Sequence, residues 1–270
     1  MRPRSIVFDL YGDYLRYRGG EARLRVLVRL LESFDVSEST ARVVMARLRR
    51  EDWFATRTVG RETVYELTSK SWQMLDEGRE RIFEQSPQAW DGQWYTVIYS
   101  VPESDRSVRE EMRKELAWLG FGPLATSTWI SPHDRLNLVR DRFGDSPSRR
   151  LDLLTCRSGG LAEDREMAAR CWNLDELNRD YRAFLRHYRP TVDGFRGERW
   201  PGRRALVERT RITAAYRRFP FRDPDLPIEL LPAGWRGREA REVFLAAHKM
   251  LGPAANDYVD ELIAGQPGEV

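Results

Sequence analysis

At 270 residues the chain is long for one domain, so two or three units are expected, and 41% hydrophobic with 11% aromatic residues is the composition of a globular protein with ample material for real cores. Charged residues make up 32% but cancel to a net +3, so total charge alone singles out neither a nucleic acid nor a membrane as partner.

The opening stretch "MRPRSIVFDLYGDY" begins basic, but Asp9 and Asp13 interrupt its apolar run, so it reads as a helix rather than a signal peptide. Val7, Leu10, Tyr11 and Tyr14 fall at i, i+3, i+4 and i+7, which predicts an amphipathic helix over 5–17 stopped by "RGGE". A second helix carries Leu24, Leu27, Val28 and Leu31, and "SFDVS" breaks it. Ser37 then caps a third, whose buried stripe is Ala41, Val44, Met45 and Leu48. Beyond it the period shortens: "WFATRTVGRETVYEL" predicts a hairpin turning at Gly60-Arg61. Three short helices followed by a hairpin is the order of a winged helix-turn-helix. A further helix runs from Thr68 to Gln85, and "SPQ" (86–88) is the first linker.

In the middle segment, "WDGQWYTVIYSVP" predicts a strand, "SVREEMRKELAWLG" an amphipathic helix and "FGPLATSTWISP" a second strand. A helical "RLNLVRDRF", a strand "RRLDLLTCR" and a helix "EDREMAARCW" follow, an order that fits a small ferredoxin-like α/β sandwich. From Leu174 the chain turns almost wholly helical, with one helix ending at Pro190, another running to Pro220 and a last one from Gly237. The expected class is α+β, in three domains: 1–85, 86–173 and 174–270.

The third helix carries four arginines within nine positions, and a charged helical run is by default a solvated face. Here, with the apolar stripe facing the core, Ser39, Val43, Ala46 and Arg50 point directly away from it. Arg42 and Arg47 lie on the flanks. Small residues at the centre with arginines at the sides suit close approach to a major groove, where bulk would hold the helix off. The preceding helix, the tight turn and the following hairpin favour DNA. The candidate DNA-binding residues are therefore Ser39, Arg42, Val43, Arg47 and Arg50, with Arg57 and Arg61 beside the hairpin turn.

Catalytic alternatives are thin. His133, His187 and His248 are far apart with no H-x-x-x-H pair, and no G-x-S-x-G or phosphate-cradling loop is present. Cys156 and Cys171 lack zinc-ligand spacing and read as two buried, reduced thiols. Exposed carboxylates are expected to pair with arginines at i±4. No apolar stretch reaches a spanning length of about 20 residues. The expectation is a cytoplasmic non-enzyme without metal or cofactor.

"LYGDYLRYRGGE", "RLRREDWF" and "VGRETVYELT" resemble the N-terminal segment of the PaaX family of bacterial transcriptional regulators. "WLGFGPLATSTWISP" is similar to the family's central region, and "CWNLDELNRDYRAFLRHYRP" and "RDPDLPIELLPAGWRG" to its C-terminal helical region. The resemblance implies a repressor that binds a double-stranded, palindrome-like operator as a homodimer. It also implies release by an acyl- or aryl-CoA effector such as phenylacetyl-CoA, with no effector residues carried over. The central segment further resembles small ferredoxin-like nucleases associated with CRISPR systems, which implies a metal-dependent nuclease as the alternative. Where those proteins carry a metal-binding aspartate after the first strand, "VIYSVPESD" places Ser100, a poor ligand for a hard cation.

Overall fold

The computed structural model describes residues 1–84, 89–102, 104–144, 149–194 and 200–265; the expected linker 86–88 lies outside them. The fold is α+β and divides into two compact units. One comprises Met1–Gln85, Ala183–Arg218 and Arg238–Val270, and the other Ser86–Arg182 and Phe219–Gly237. The segment 174–270, expected to stand as a domain, contributes to both.

In the first unit, helix α1 (Pro3–Asp13) starts with proline in its first turn, where the missing N–H costs nothing. It stops at Asp13, four residues before the expected end, because Tyr14 leaves the helical region and the chain tightens into a 3-10 turn, Leu15–Arg18. Tyr14 and Leu15 are thereby fully buried. Gly19 and Gly20, both at positive φ, then release the chain into strand β1 (Glu21–Arg23), which is too short to leave a periodic signal.

Helices α2 (Leu24–Glu32) and α3 (Glu38–Arg50) follow as expected. Ser37 caps α3, its hydroxyl accepting from the Thr40 N–H at 3.3 Å. Strands β2 (Phe54–Val59) and β3 (Glu62–Leu67) form the hairpin around Gly60. They pair antiparallel in the order β1-β3-β2. Ala41, Met45 and Leu48 of α3 are fully buried, in one core with Leu10, Tyr11, Leu27, Leu31 and Phe54. Helix α4 (Ser69–Phe83) packs Trp72 and Leu75 onto it.

Gly20 yields a prediction. It sits at φ 72, and a Cβ built there collides with the Trp72 ring, whereas one at Gly19 meets only Glu21 Cγ at 3.9 Å. Gly20→Ala adds overpacking to left-handed strain and should cost about 2–4 kcal/mol; Gly19→Ala, with strain alone, should cost about 1–2 kcal/mol. Urea midpoints of the two variants check the ordering.

Three later helices belong wholly or partly to these two units. Helix α8 (Leu174–Gly194) runs on past Pro190, where the sequence predicts an end. Burial of Val192 holds the turn beyond the proline, outweighing one lost backbone hydrogen bond. Helices α9 (Gly202–Tyr216) and α10 (Gly237–Ala264) lay Ala205, Leu206, Leu251, Ala255 and Val259 into the same core as α1.

A charged seam joins α1 to α9 and α10. Asp9 meets Arg217 at 2.7 Å. One turn on, Asp13 accepts from the Thr213 hydroxyl at 3.2 Å and lies 3.4 Å from His248 and 3.9 Å from Arg209. Arg209 donates to the His248 carbonyl at 3.0 Å and stands over the Tyr14 ring.

The second unit contains β4 (Trp94–Ser100), α5 (Arg106–Trp118), β5 (Gly122–Ala125), β6 (Thr128–Ser131), α6 (Leu136–Phe143), β7 (Arg150–Cys156) and α7 (Leu161–Cys171). The sheet is antiparallel throughout, in the order β5-β6-β4-β7. The stretch "FGPLATSTWISP", expected as one strand, folds back on itself as β5 and β6. Its turn, Thr126-Ser127, lacks the Gly or Asn that marks such turns, and Pro123 is tolerated because β5 is an edge strand. One sheet face packs Val97 and Tyr99 on Met112, Leu116 and Val139. The other packs Trp94 and Ile130 on Ala168, Cys171 and Leu230, and the Trp94 indole donates to buried Asp164 at 2.7 Å.

Candidate nucleic-acid interface

Helix α3 presents its nominated residues as its periodicity requires: Ser39, Arg42, Val43, Arg47 and Arg50 are all exposed. Val44, expected in the buried stripe, is only partly covered. Arg57 and Arg61 are exposed on β2 and at the hairpin turn, so all seven nominated residues belong to the α2–α3–hairpin segment of one unit.

Their electrostatic states differ. Arg42 pairs with Glu38 at 2.7 Å and Arg47 with Glu51 at 2.7 Å, both as i,i+4 neighbours. Glu51 also receives Arg4, and these two guanidiniums hold its carboxyl down at about 2. Arg57 reaches across β3 to both carboxylate oxygens of Glu21, each at 2.7 Å, a bond that raises its own pKa. Arg50 and Arg61 have no ion pair among the described residues. Exposed pairs of this kind are weak and screened by solvent, so a phosphate or a guanine edge displaces them at little cost.

The i,i+4 spacing made the Glu38 and Glu51 pairings legible, as general expectations, from the sequence. Glu21 as partner of Arg57 was not, because it acts through β1, which left no signal.

Elsewhere the polar side chains are spread out. Among the described residues no group of three or more His, Cys, Asp or Glu is placed to hold a metal ion. Ser100 ends β4 exposed. The His133 ring lies 2.7 Å from the Asp225 carbonyl, His187 packs edge-on to Tyr188, and His248 belongs to the Asp13 seam. The expectation of two buried thiols is corrected at Cys156. It is exposed because it ends an edge strand, while Cys171 is buried and its thiol is pushed up to about 11. No helix among the described residues is long and apolar enough to cross a membrane.

Within the second unit, Trp172, Leu174, Leu230, Leu231 and Pro232 line a cleft of about 280 Å³ with Arg165 among its polar residues.

Three family models match in succession. They are described as PaaX-like protein over residues 2–71, PaaX protein central Cas2-like domain over 87–168, and PaaX-like protein C-terminal domain over 172–261. The Transcriptional repressor PaaX of Escherichia coli (strain K12) is 31% identical over 98% of this chain and 85% of its own length. Among solved structures, an uncharacterized protein from Mycobacterium tuberculosis matches with a TM-score of 0.67 at 21% identity, covering 96% of this chain and 98% of that one. That likeness concerns the fold alone.

Proposed function

Because the chain belongs to the PaaX family, we propose that it is a DNA-binding transcriptional repressor whose helix α3 enters the major groove of its operator. The observation that carries this is the outer face of α3. Ser39, Val43 and the partly covered Ala46 lie along its centre with Arg50 at the far end, and Arg42 and Arg47 stand exposed at its flanks.

The succession α1-β1-α2-α3-β2-β3, with sheet order β1-β3-β2, supports a winged helix-turn-helix with the β2–β3 hairpin as wing. In the second unit, the succession β4-α5-β5-β6-α6-β7 supports the ferredoxin-like reading of 86–173. Segments 1–85, 86–173 and 174–270 remain the proposed domains by chain order, in a cytoplasmic protein. One recognition helix spans too few base pairs for an operator, so the protein acts as a homodimer on two half-sites.

The effector is a CoA thioester bearing an acyl or aryl group. The cleft beside Trp172 supports an apolar moiety of that size, with Arg165 near it for an anionic handle. Such a ligand lowers operator affinity only if it binds the DNA-free form more tightly.

The test is a gel shift on the region upstream of its own coding sequence, with and without a panel of acyl-CoA thioesters. Retention on that duplex and its release by a thioester are expected. Metal-dependent cutting of the duplex in place of retention would support the nuclease alternative. A second expectation concerns Arg50 and Arg61, whose guanidiniums have no ion pair among the described residues. If they meet phosphates, replacing either by alanine should weaken cognate and scrambled duplexes alike. Each replacement should also flatten the plot of log affinity against log salt by about 0.9 for every phosphate that is no longer neutralised.

A further inference from the structure

Val43 is 68% exposed, the highest value among the exposed large hydrophobic residues described. It lies in the first half of α3, nearly opposite Ala41, Met45 and Leu48, with Ser39 one turn before it and Arg47 one turn after. A β-branched residue in the middle of an exposed helical face is a poor helix former and gains nothing from burial there. No other large hydrophobic of α3 is exposed, so Val43 is not part of an apolar patch on this helix that a protein partner would cover. A major groove, however, carries one apolar group on its floor, the C5-methyl of thymine. Serine and alanine beside Val43 let the helix sink far enough for its two methyl groups to reach that floor, while Arg42 and Arg47 stand aside.

We infer that Val43 is a specificity-determining residue that packs on a thymine methyl in each half-site, so that the operator carries an A·T pair beneath the centre of α3. This rests on the reading of α3 as the groove helix. No charge or hydrogen bond is involved, so the contact distinguishes thymine from uracil, which differ only in that methyl group.

The experiment uses the full chain and the duplex footprinted in the region upstream of its own coding sequence. Each thymine of a half-site is replaced in turn by deoxyuridine. At one position per half-site, wild-type affinity should fall about fourfold, the equivalent of about 0.8 kcal/mol for one buried methylene-sized group. Val43→Ala should lose a similar factor on the thymine duplex and bind the thymine and uracil forms equally. The residue is exposed and alanine is the better helix former, so the variant's urea midpoint, measured alongside, should not fall below the wild-type value. A uracil effect that persists undiminished in Val43→Ala, or no uracil effect at any position, overturns the inference. Arg42→Ala separates the two levels. If it alters binding while Val43→Ala does not, only the thymine contact fails; if neither alters binding, or no duplex is retained, the reading of α3 fails with it.

Discussion

Asp13→Asn is expected to lower the stability of the fold by about 3–5 kcal/mol, while Asp9→Asn, one helical turn away, is expected to change it by less than about 1 kcal/mol at pH 8. The two carboxylates share helix α1 and the same general seam, but their surroundings act in opposite directions. Asp13 is pushed up by burial, yet His248, Arg209 and the Thr213 hydroxyl together bring its pKa below the ordinary value of 3.8. Its negative charge is therefore what the site is built around. An asparagine there leaves the Arg209 guanidinium, only 7% exposed, as a buried cation without its counter-charge.

Asp9 is the reverse case. Burial dominates, Arg217 compensates only in part, and its pKa rises to about 7. One of its carboxylate oxygens makes no hydrogen bond, and Arg217 is exposed enough to turn to water when the carboxylate is neutralised. The signs follow by linkage. Asp13 holds its charge more tightly folded than unfolded, so its contribution is present above pH 3.8 and is lost as pH falls below it. Asp9 holds its proton more tightly folded, so its contribution is present below pH 3.8 and is lost as pH rises toward 7. Urea midpoints at pH 4.5, 6 and 8 should show wild-type stability declining across this window relative to Asp9→Asn. The deficit of Asp13→Asn should persist at all three values, because Asp13 carries its charge throughout this range. Equal deficits for the two variants at every pH would show that the two carboxylates do not differ in this way.

What the sequence disclosed and what it withheld divide along physical lines. Helices α2 and α3 and the β2–β3 hairpin were legible because each carries a full period of buried residues and a terminal signal: Ser37 at the start of α3, Gly60 at the turn. Strand β1 was not, since three residues with one buried side chain make no pattern. The end of α1 was misplaced because Tyr14 keeps the helical spacing of its neighbours while leaving the helical backbone. Pro190 does not end its helix, because the burial beyond it outweighs the lost hydrogen bond, whereas Pro123 marks an edge strand. On α3, exposure followed from periodicity alone. The partner of Arg57 depended on strand register, and the role of the aspartates on α1 depended on helices some 200 residues later, which no local pattern encodes.

The outer face of α3 supports a last expectation, that its arginines are not equivalent. Arg42 lies in the half of the helix that meets base edges in helix-turn-helix proteins, and its guanidinium is held by Glu38 at the first turn. On binding, the guanidinium exchanges that weak exposed pair for a guanine edge. Arg42→Ala should therefore cost roughly 1–3 kcal/mol on the cognate duplex and relax discrimination at one base pair per half-site. Part of the loss has a different origin, because the variant leaves Glu38 uncompensated near the phosphates. Glu38→Gln with Arg42→Ala removes that repulsion: non-specific affinity should recover while discrimination stays relaxed. Arg47, paired with Glu51 toward the far end of the helix, is placed for a phosphate, so Arg47→Ala should weaken all sequences alike. A solvated face predicts something else, namely wild-type affinity and salt dependence for every one of these variants. Binding isotherms on cognate and scrambled duplexes across a salt series decide between them, and an Arg42→Ala protein that still discriminates as the wild type does would remove base reading from this helix.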